Sequence, residues 1–421
     1  MSTFRFSPAH LHGTVHAPAS KSHGHRLLIA AALSDAPCVI RNIGDSDDIR
    51  ATIRCLSALG ASFLQEGSDL LVTPVTRKVR EATLLCGESG TTARFLTPVA
   101  AVLADKAHID GTGRLTQRPM RELLCAMREN GITFSADHIP FDLSGTLKSG
   151  DYCLPGNISS QYVSGLLFAL PMLEGDSTVT LTTPLSSSGY VNMTIDVLET
   201  FGVRVIRREN GFSVPGGQTY RSPGFADTEG DWSGSAFFLA AGAIQGPVTV
   251  IGLNPESSHK DRLILDYLSR FGAQITLDAD SVTVSRSSLC AIQADTDENP
   301  DLVPVLAAVA ACSRGTSVFS GCRRLRLKES DRLNAICETL SSFGIRTLTD
   351  GETLQITGGA LTGAECSSLN DHRIAMMAAI LACSARDGVT LHQPMSITKS
   401  YPGFYNDYLA LGGSIDGFHI R

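Results

Sequence analysis

The sequence predicts an α/β (α+β) protein of two domains, each built from three βαβαββ-type repeats with parallel helices buried beneath outer sheets, an inside-out α/β barrel. Two sets of repeated residues lead to this prediction. One set closes helical stretches with a glycine every 68 to 72 residues, and the other opens helical stretches every 68 to 71 residues. Repetition at a fixed period indicates one supersecondary unit used several times. The closing set is Gly60, Gly131, Gly202, Gly272, Gly344 and Gly412, and the opening set is Ser22, Gly90, Ser160, Asp231, Asp301 and Asp371.

Each repeat contains two helical stretches of different character. The first is apolar nearly all round, as in residues 25–34, and a helix without a polar face belongs in the interior. The second is amphipathic, as in residues 48–60, and its closing glycine suits the left-handed position that ends a helix. Short β-prone runs such as 178–183 and 248–252 lie between and after the helices, and we expect them to form the outer sheets.

The domain boundaries follow from chain length and from two breaks in the pattern. A chain of 421 residues exceeds one ordinary core, and six repeats divide into three and three. Pro18 and a loop rich in glycine and acidic residues at 226–230 mark the breaks. The predicted domains are therefore residues 18–227, and residues 1–17 with 228–421. The β-prone run at 12–18 is expected to join the C-terminal half, so that the chain crosses twice and leaves a cleft between the domains.

Composition excludes several classes of protein. The chain is 43% hydrophobic and 18% charged, which is typical of a folded globular protein, and its formal charge of −7 argues against a general nucleic-acid binder. It has no apolar run of membrane-spanning length, and its first residues do not resemble a signal peptide, so we expect a cytoplasmic protein. Eleven cysteines without a CxxC pair indicate reduced thiols rather than disulfides or zinc ligands.

Buried helices that begin in phase would present their N-termini to one side, where the helix dipole favours phosphate or carboxylate. The small and polar residues at these starts could instead be ordinary N-caps, and for each one alone that alternative stays open. Their recurrence in phase favours a ligand. Cations near the starts of the second helices also suggest a bound anion, because the dipole disfavours them there. These cations are Arg118, Lys328, Arg332 and Lys399.

At these positions the chain resembles the 5-enolpyruvylshikimate-3-phosphate synthase family along nearly its whole length. The most specific segments are KESDR at 328–332 and NDHR at 370–373. The others, in family order, are PASKSHGHR, ESGTTARF, RLTQRPM, ISSQY, SSSGY and ITKSYPGF. The resemblance implies two domains of three βαβαββ repeats, and transfer of the enolpyruvyl group of phosphoenolpyruvate to the 5-hydroxyl of shikimate 3-phosphate, in aromatic amino acid biosynthesis. It also implies a monomer without cofactor or metal.

The resemblance implies a set of site residues, with shikimate 3-phosphate on the first domain and phosphoenolpyruvate on the second. Phosphoenolpyruvate is expected to meet Lys21, Gly90, Arg118, Gln161, Arg332, Arg373 and Lys399. Shikimate 3-phosphate is expected to meet Lys21, Ser22, Arg26, Ser159, Ser160, Gln161, Ser187, Tyr190, Asp301 and Lys328. For Tyr190, an ordinary packing role at a helix start is an equal alternative.

The implied reaction is an addition followed by an elimination through a tetrahedral intermediate, and it needs general acids and bases. Asp301 is the candidate base on the hydroxyl, while Glu329 and Lys21 are candidates for proton delivery and return at the methylene. His372 is a candidate for assisting the departing phosphate, with a structural role as the alternative. Gly90 is the position at which a larger side chain is expected to crowd the inhibitor glyphosate, so the resemblance implies sensitivity to that compound.

Two residues depart from the pattern of some relatives, which have asparagine at both positions. Arg324 leaves one substrate contact in doubt, and Glu88 places a carboxylate beside an anion site unless Arg94 or Arg118 pairs with it. The rival enolpyruvyl transferase, which acts on UDP-N-acetylglucosamine, has a loop cysteine that the segment 111–119 lacks. A rival of another class is a repeat scaffold that binds RNA ends, which the acidic charge and the lack of interleaved aromatics disfavour.

Overall fold

The structure is a computed structural model that describes residues 2–419. The chain separates into two compact units, one from Ala19 to Thr228 and the other comprising the residues up to Pro18 together with those from Glu229 onward. They are called the first and second unit below. Strands β1 (Thr3–Ser7) and β2 (Gly13–His16) open the chain and belong to the second unit. Among the residues described, no helix is long and apolar enough to cross a membrane.

The first unit contains three four-stranded sheets, each with one parallel and two antiparallel pairings. Their orders are β6-β7-β9-β8, β10-β11-β13-β12 and β14-β3-β5-β4. In the first two sheets the elements follow one another along the chain as βαβαββ, whereas β14 of the third sheet is the last strand of the unit. The helices are α1 (Lys21–Ala32), α2 (Asp47–Ala58), α3 (Gly90–Leu103), α4 (Arg121–Glu129), α5 (Ser160–Ala169) and α6 (Ser188–Thr200). The strands are β3 (Cys38–Arg41), β4 (Ser62–Glu66), β5 (Asp69–Thr73), β6 (Val79–Leu85), β7 (Ala104–Asp110), β8 (Ile132–Phe134), β9 (Phe141–Gly145), β10 (Asp151–Leu154), β11 (Ser177–Leu181), β12 (Ile206–Arg208), β13 (Gly211–Val214) and β14 (Phe225–Asp227).

The second unit repeats the scheme with sheets β16-β17-β15-β2, β18-β19-β21-β20 and β22-β23-β1-β24. Strand β2 pairs in parallel with β15, which confirms that the opening strands join the C-terminal half. The helices are α7 (Trp232–Ile244), α8 (Ile264–Phe271), α9 (Val303–Ala311), α10 (Arg332–Ser342), α11 (His372–Ser384) and α12 (Phe404–Ala410). The strands are β15 (Val248–Ile251), β16 (Gln274–Leu277), β17 (Ser281–Ser285), β18 (Gln293–Asp295), β19 (Thr316–Ser320), β20 (Arg346–Thr349), β21 (Leu354–Thr357), β22 (Ala364–Ser367), β23 (Val389–His392) and β24 (Ser414–Asp416).

The apolar helices lie inside their units, as the sequence predicts. Every residue of α7 and α9 is buried, and α1, α3, α5 and α11 are buried over most of their length. Each unit has its own hydrophobic cluster built around these helices. Helices α3 and α5 pack closely, since a methyl group on Gly165 would lie 2.4 Å from the carbonyl oxygen of Arg94. The buried helices therefore hold their first turns firmly with respect to one another within a unit.

The closing glycines behave as predicted. All six have positive φ angles, between +72° and +104°, which residues with a side chain rarely adopt. They stand at or next to the C-caps of α2, α4, α6, α8, α10 and α12. The opening residues lie within two positions of the starts of the buried helices.

Two local predictions are wrong. The segment 226–230 is not wholly a loop, because β14 covers its first residues and pairs in parallel with β3. Three of the four cations predicted near the starts of second helices lie at the ends of 3-10 helices instead: Arg118 follows Gly113–Gln117, Lys328 follows Arg323–Leu327, and Lys399 is the last residue of Pro394–Lys399. The C-terminal end of a helix favours cations, so the dipole argument for a bound anion fails at these three residues.

Candidate active site

Arg332 is the centre of a buried charge cluster in the second unit. It is the first residue of α10, its side chain is fully buried, and it contacts three carboxylates. Nη1 lies 2.7 Å from Oδ1 of Asp301, Nη2 lies 2.5 Å from Oε2 of Glu329, and Nε lies 2.9 Å from Oδ2 of Asp371. A buried guanidinium needs such partners because the desolvation of an unpaired charge costs several kcal/mol. The cluster joins the segments KESDR and NDHR, which are about 40 residues apart in the chain.

Asp301 is held by three cations from two segments, 328–332 and 370–373. Besides Arg332, its Oδ1 lies 3.2 Å from Nζ of Lys328 and 3.7 Å from Nε of Arg373. Arg373 also donates a hydrogen bond of 2.9 Å to the Asp301 carbonyl oxygen. Burial alone would raise the pKa of Asp301, but the three cations hold it well below the usual range of an aspartate. Burial in turn lowers the pKa of Lys328. In the free protein the carboxylate is therefore ionised and able to accept a proton, although the cations weaken it as a base.

Two further predicted residues adjoin this cluster. Lys399 is 8% exposed, and its ammonium group donates a hydrogen bond of 2.5 Å to the carbonyl oxygen of Asn370. His372 is buried directly after Asp371, the N-cap of α11. Both side chains are thus placed at the first turn of α11.

Lys21 of the first unit is ion-paired with a residue that the sequence analysis did not identify. Its Nζ lies 2.9 Å from Oδ2 of Asp48, and both side chains are largely buried, at 15% and 12% exposed. Lys21 begins α1 and Asp48 lies in the first turn of α2, so the pair ties two helix starts together. The sequence gives no sign of this pairing, because an aspartate in the first turn is what the helix dipole favours in any case.

Gly90, Arg118 and Gln161 come together around Arg94, which lies one turn into α3. Arg94 donates hydrogen bonds of 2.7 Å to Oε1 of Gln161 and 3.0 Å to the carbonyl oxygen of Pro119. Gln161 donates in turn to Oγ1 of Thr91 at 2.7 Å. A methyl group on Gly90 would lie 2.6 Å from Nη1 of Arg118 and 3.0 Å from Nη1 of Arg94. The backbone at the start of α3 is therefore approached closely by two guanidinium groups.

Arg26 contacts two other residues that are expected to meet shikimate 3-phosphate, Ser22 and Tyr190. It donates hydrogen bonds to Oγ1 of Thr194 at 2.8 Å and to the carbonyl oxygens of Ser22 and Tyr190 at 2.6 and 2.8 Å. Its guanidinium also lies 6.0 Å from the centre of the Tyr190 ring, so Tyr190 has a packing role as well. Ser187 precedes α6 with a left-handed φ of +55°, unusual for a residue with a side chain.

The capping alternative is realised at α5, α7 and α11. Ser159 accepts a hydrogen bond from the Gln161 amide, Asp231 accepts one from the Gly234 amide, and Asp371 accepts one from the Arg373 amide. Ser160 follows its cap as the first, buried residue of α5. Capping accounts for these three capping side chains without a ligand, and it leaves the first turn of each helix formed and oriented.

The two departures from the family pattern have local partners. Nε of Arg324 lies 3.1 Å from Oδ1 of Asp297, and its Nη2 donates to the carbonyl oxygen of the same residue. The carboxylate of Glu88 lies against Gly113, where a methyl group would come within 2.7 Å of it. Arg94, one of the two expected partners of Glu88, donates hydrogen bonds to Gln161 and Pro119.

Comparisons with known proteins identify the family of the chain. A family model described as EPSP synthase (3-phosphoshikimate 1-carboxyvinyltransferase) matches residues 7–408. A protein of Clostridium acetobutylicum named 3-phosphoshikimate 1-carboxyvinyltransferase is 39% identical, over 99% of this chain and 98% of its own. One of the same name from Clostridium kluyveri is 38% identical, over 98% of each chain.

Two solved structures share the fold of this chain although their sequences are less than 25% identical to it. EPSP synthase from Acinetobacter baumannii is similar with a TM-score of 0.81 over 99% of each chain, at 23% identity. The enolpyruvyl transferase NikO from Streptomyces tendae is similar with a TM-score of 0.80 over 98% of each chain, at 18% identity. Both show the same mixed α/β fold. With a family model that spans most of its length and relatives this similar, the chain belongs to the EPSP synthase family.

Proposed function

We infer that the protein catalyses the reaction of its family, the transfer of the enolpyruvyl group of phosphoenolpyruvate to the 5-hydroxyl of shikimate 3-phosphate, with release of phosphate. This reaction belongs to aromatic amino acid biosynthesis. The nearly full-length match to relatives named for it carries the inference. The structural feature that best fits it is Asp301, an ionised carboxylate held among three cations.

Electrostatics support the choice of substrates. Phosphoenolpyruvate and shikimate 3-phosphate together carry about six negative charges when each phosphate is near −2. Every cation assigned from the resemblance is buried or partly buried, as a site for such ligands requires. These cations are Lys21, Arg26, Arg118, Lys328, Arg332, Arg373 and Lys399. The assignment of individual residues to either substrate, and the contribution of both units to one active site, stay predictions.

For the hydroxyl of shikimate 3-phosphate we propose Asp301 as the general base. In the free protein its neighbours Lys328, Arg332 and Arg373 make it a weak base, because they stabilise the ionised form. An anionic substrate that binds these cations would weaken their hold on the carboxylate. Asp301 would then gain basicity when phosphoenolpyruvate is bound, which is when the hydroxyl must lose its proton.

At the methylene carbon we propose that Lys21 and Glu329 share the proton transfers. Nζ of Lys21 is paired with Asp48, and the carboxyl group of Glu329 is paired with Arg332. A cation that gives a proton and a carboxylate that takes one back match the addition and the elimination. His372 is proposed to assist the departing phosphate.

We also propose that each unit forms an inside-out α/β barrel, and that the protein works as a cytoplasmic monomer without a cofactor. Buried helices and outer four-stranded sheets in each unit support the barrel. Sedimentation at working concentration tests the monomer, and fractionation of cells tests the location.

Phosphate release tests the function directly. The purified protein should release phosphate when both phosphoenolpyruvate and shikimate 3-phosphate are present, and release none with either alone. UDP-N-acetylglucosamine should not replace shikimate 3-phosphate, and RNA should have no effect. Turnover with UDP-N-acetylglucosamine would favour the rival transferase, and tight binding of RNA without phosphate release would favour the scaffold.

A further inference from the structure

A buried chain of four polar side chains connects three helices of the first unit, and the proposed mechanism uses none of them. His25 lies on α1, Thr52 on α2 and Thr92 on α3, and Ser89 is the N-cap of α3; all are at most 1% exposed. Nδ1 of His25 lies 2.7 Å from Oγ1 of Thr52, which lies 2.7 Å from Oγ1 of Thr92. The hydroxyl of Thr92 lies 2.8 Å from Oγ of Ser89.

The hydrogen bonds from His25 to Ser89 all have the same donor-to-acceptor direction. Within residues 2–419, Nε2 of His25 has no hydrogen-bond partner. A buried N–H without an acceptor is rarer than an acceptor without a donor, so the proton belongs on Nδ1, which donates to Thr52. Thr52 then donates to Thr92, and Thr92 donates to Ser89. Burial, together with Lys21 and Arg26, lowers the pKa of His25 well below its usual value, which keeps the ring neutral.

The series of hydrogen bonds ends at Ser89, next to residues proposed to bind phosphoenolpyruvate. Ser89 also accepts the backbone N–H of Thr92 at 3.2 Å, and the next residue along the chain is Gly90. The Thr92 hydroxyl lies 3.5 Å from the backbone carbonyl oxygen of Asp48, the partner of Lys21. The four side chains thus fix the first turn of α3 with respect to the start of α2.

We propose that His25, acting through Thr52 and Thr92, is a positioning residue for phosphoenolpyruvate, and this rests on the proposed function. The chain holds the first turn of α3 in the orientation in which the Gly90 backbone and Arg118 receive the anion. Hydrogen bonds in a chain polarise one another, so breaking one link loosens the rest. A site held in place before the ligand arrives binds it more tightly, because less ordering is needed on binding.

Replacement of Thr52 tests the proposal, since it stands in the middle of the chain and contacts no proposed substrate. Thr52→Val keeps the shape and removes the hydroxyl. We expect the KM for phosphoenolpyruvate to rise on the order of three- to ten-fold, the loss of about one hydrogen bond of positioning. The KM for shikimate 3-phosphate and the kcat should stay within about two-fold of wild type. Thr52→Ser restores the hydroxyl and should restore the KM.

Thr97→Val is the matched control. Thr97 is a buried threonine on α3, the helix of Thr92, and its hydroxyl donates to the carbonyl oxygen of Ala93 within that helix. The Thr97→Val variant should lose stability without a change in the KM for phosphoenolpyruvate. Should Thr52→Val not fold, Thr92→Val breaks the next link with the same expectation.

The possible outcomes distinguish failure of the positioning role from failure of the proposed function. If the wild type is active and Thr52→Val keeps its KM for phosphoenolpyruvate, the positioning role is overturned. Equal rises in Thr52→Val and Thr97→Val, or failure of Thr52→Ser to restore the KM, overturn it as well. If the wild type releases no phosphate with both substrates, the proposed function fails and takes the positioning role with it.

Discussion

The buried arginines of the two units have different hydrogen-bond acceptors, whereas Lys21 of the first unit is paired with a carboxylate, that of Asp48. In the second unit Arg332 is surrounded by three carboxylates, and by formal charge they balance Arg332, Lys328 and Arg373. In the first unit the hydrogen-bond acceptors of Arg26 and Arg94 include hydroxyl, amide and backbone oxygens, which carry no formal charge.

The difference teaches how each unit would respond to an anionic ligand. Neutral acceptors satisfy the geometry of a guanidinium and leave its charge available to a ligand. Carboxylates cancel the charge, so a ligand that binds there competes with them and changes their basicity. We therefore expect changes in the second unit to affect catalysis and stability most, and changes in the first unit to affect mainly ligand binding.

The largest effect is expected from Asp301→Asn. Asparagine keeps the shape but cannot accept the hydroxyl proton, so kcat should fall by about 10²- to 10⁴-fold. Steady-state phosphate release measures this. The control is Asp297→Asn, a carboxylate four residues earlier that pairs with Arg324 and should keep kcat within about ten-fold. A kcat for Asp301→Asn within ten-fold of wild type would remove Asp301 from the mechanism.

Arg332→Met should be the most destabilising change. It leaves three carboxylates at the centre of the cluster without their shared cation, which should lower the free energy of unfolding by about 3 to 5 kcal/mol. The comparable change in the first unit, Arg94→Met, takes one donor from the Gln161 amide oxygen and one from the Pro119 carbonyl oxygen, which keeps the hydrogen bond from Tyr162, and should cost about 1 to 3 kcal/mol. Urea unfolding of both variants measures the contrast.

Arg326→Met is the surface control for this pair. Arg326 lies 3.7 Å from Asp331 with its side chain 42% exposed, and an exposed ion pair is worth about 1 kcal/mol or less. If Arg332→Met costs no more than Arg326→Met, the carboxylates do not depend on Arg332, and the distinction between the units disappears.

Gly90→Ala should weaken the binding of glyphosate and of phosphoenolpyruvate. The added methyl group would lie 2.6 Å from Arg118, so the guanidinium or the first turn of α3 must shift. Crowding of this kind costs about 1 to 3 kcal/mol, which corresponds to a roughly five- to hundred-fold loss of affinity. Inhibition curves should show wild type inhibited by glyphosate below the millimolar range and the variant resistant, with a raised KM for phosphoenolpyruvate.

The control for Gly90 is Gly359→Ala, where the new methyl group meets only Ile345 at 3.7 Å, an ordinary contact. It should leave glyphosate inhibition unchanged. A wild-type inhibition curve flat into the millimolar range would instead refute the sensitivity that the family resemblance implies.

Local rules explain which parts of this structure were predictable. The glycine stops and the buried helices follow from backbone sterics and from the lack of a polar face, and both can be read from adjacent residues. In the second unit the predicted residues Lys328, Arg332 and Arg373 also meet at Asp301. Two partners of Arg332, Asp301 and Asp371, could not be derived this way, since they come from distant segments and nothing local selects them. Glu329 is the local partner, three residues before Arg332.

The errors and omissions have the same origin. The sequence does not reveal that Arg118, Lys328 and Lys399 stand at the ends of 3-10 helices, because such a helix leaves no clear periodicity in so few residues. Asp48 was overlooked because its sequence context is that of any acidic residue in a first helical turn. The hydroxyl chain from His25 to Ser89 was not foreseen, since threonines in apolar helices give no sign of which neighbours they will meet.

The smallest effect, and the finest test of the contrast, is the dependence of stability on pH. Asp301 and Asp231 are both buried carboxylates of the second unit, but their pKa values shift in opposite directions. Cations hold the pKa of Asp301 well below its usual range, whereas burial raises that of Asp231 despite His259 and Arg373 nearby. A lowered pKa stabilises the fold above the unfolded value near 4, and this stability is lost as the pH falls below it. A raised pKa stabilises the protonated folded form, and this stability is lost as the pH rises through the folded pKa.

Urea unfolding between about pH 3 and pH 7 should therefore separate Asp301→Asn from Asp231→Asn. Asp301→Asn should lose less stability than wild type as the pH falls below 4, because the carboxylate that acid would protonate is gone. Asp231→Asn, which keeps an N-cap for α7, should lose less than wild type as the pH rises above 4. Parallel pH profiles for the two variants would mean that neighbouring cations do not distinguish the two carboxylates. The charge balance around Arg332 would then not be what sets the second unit apart.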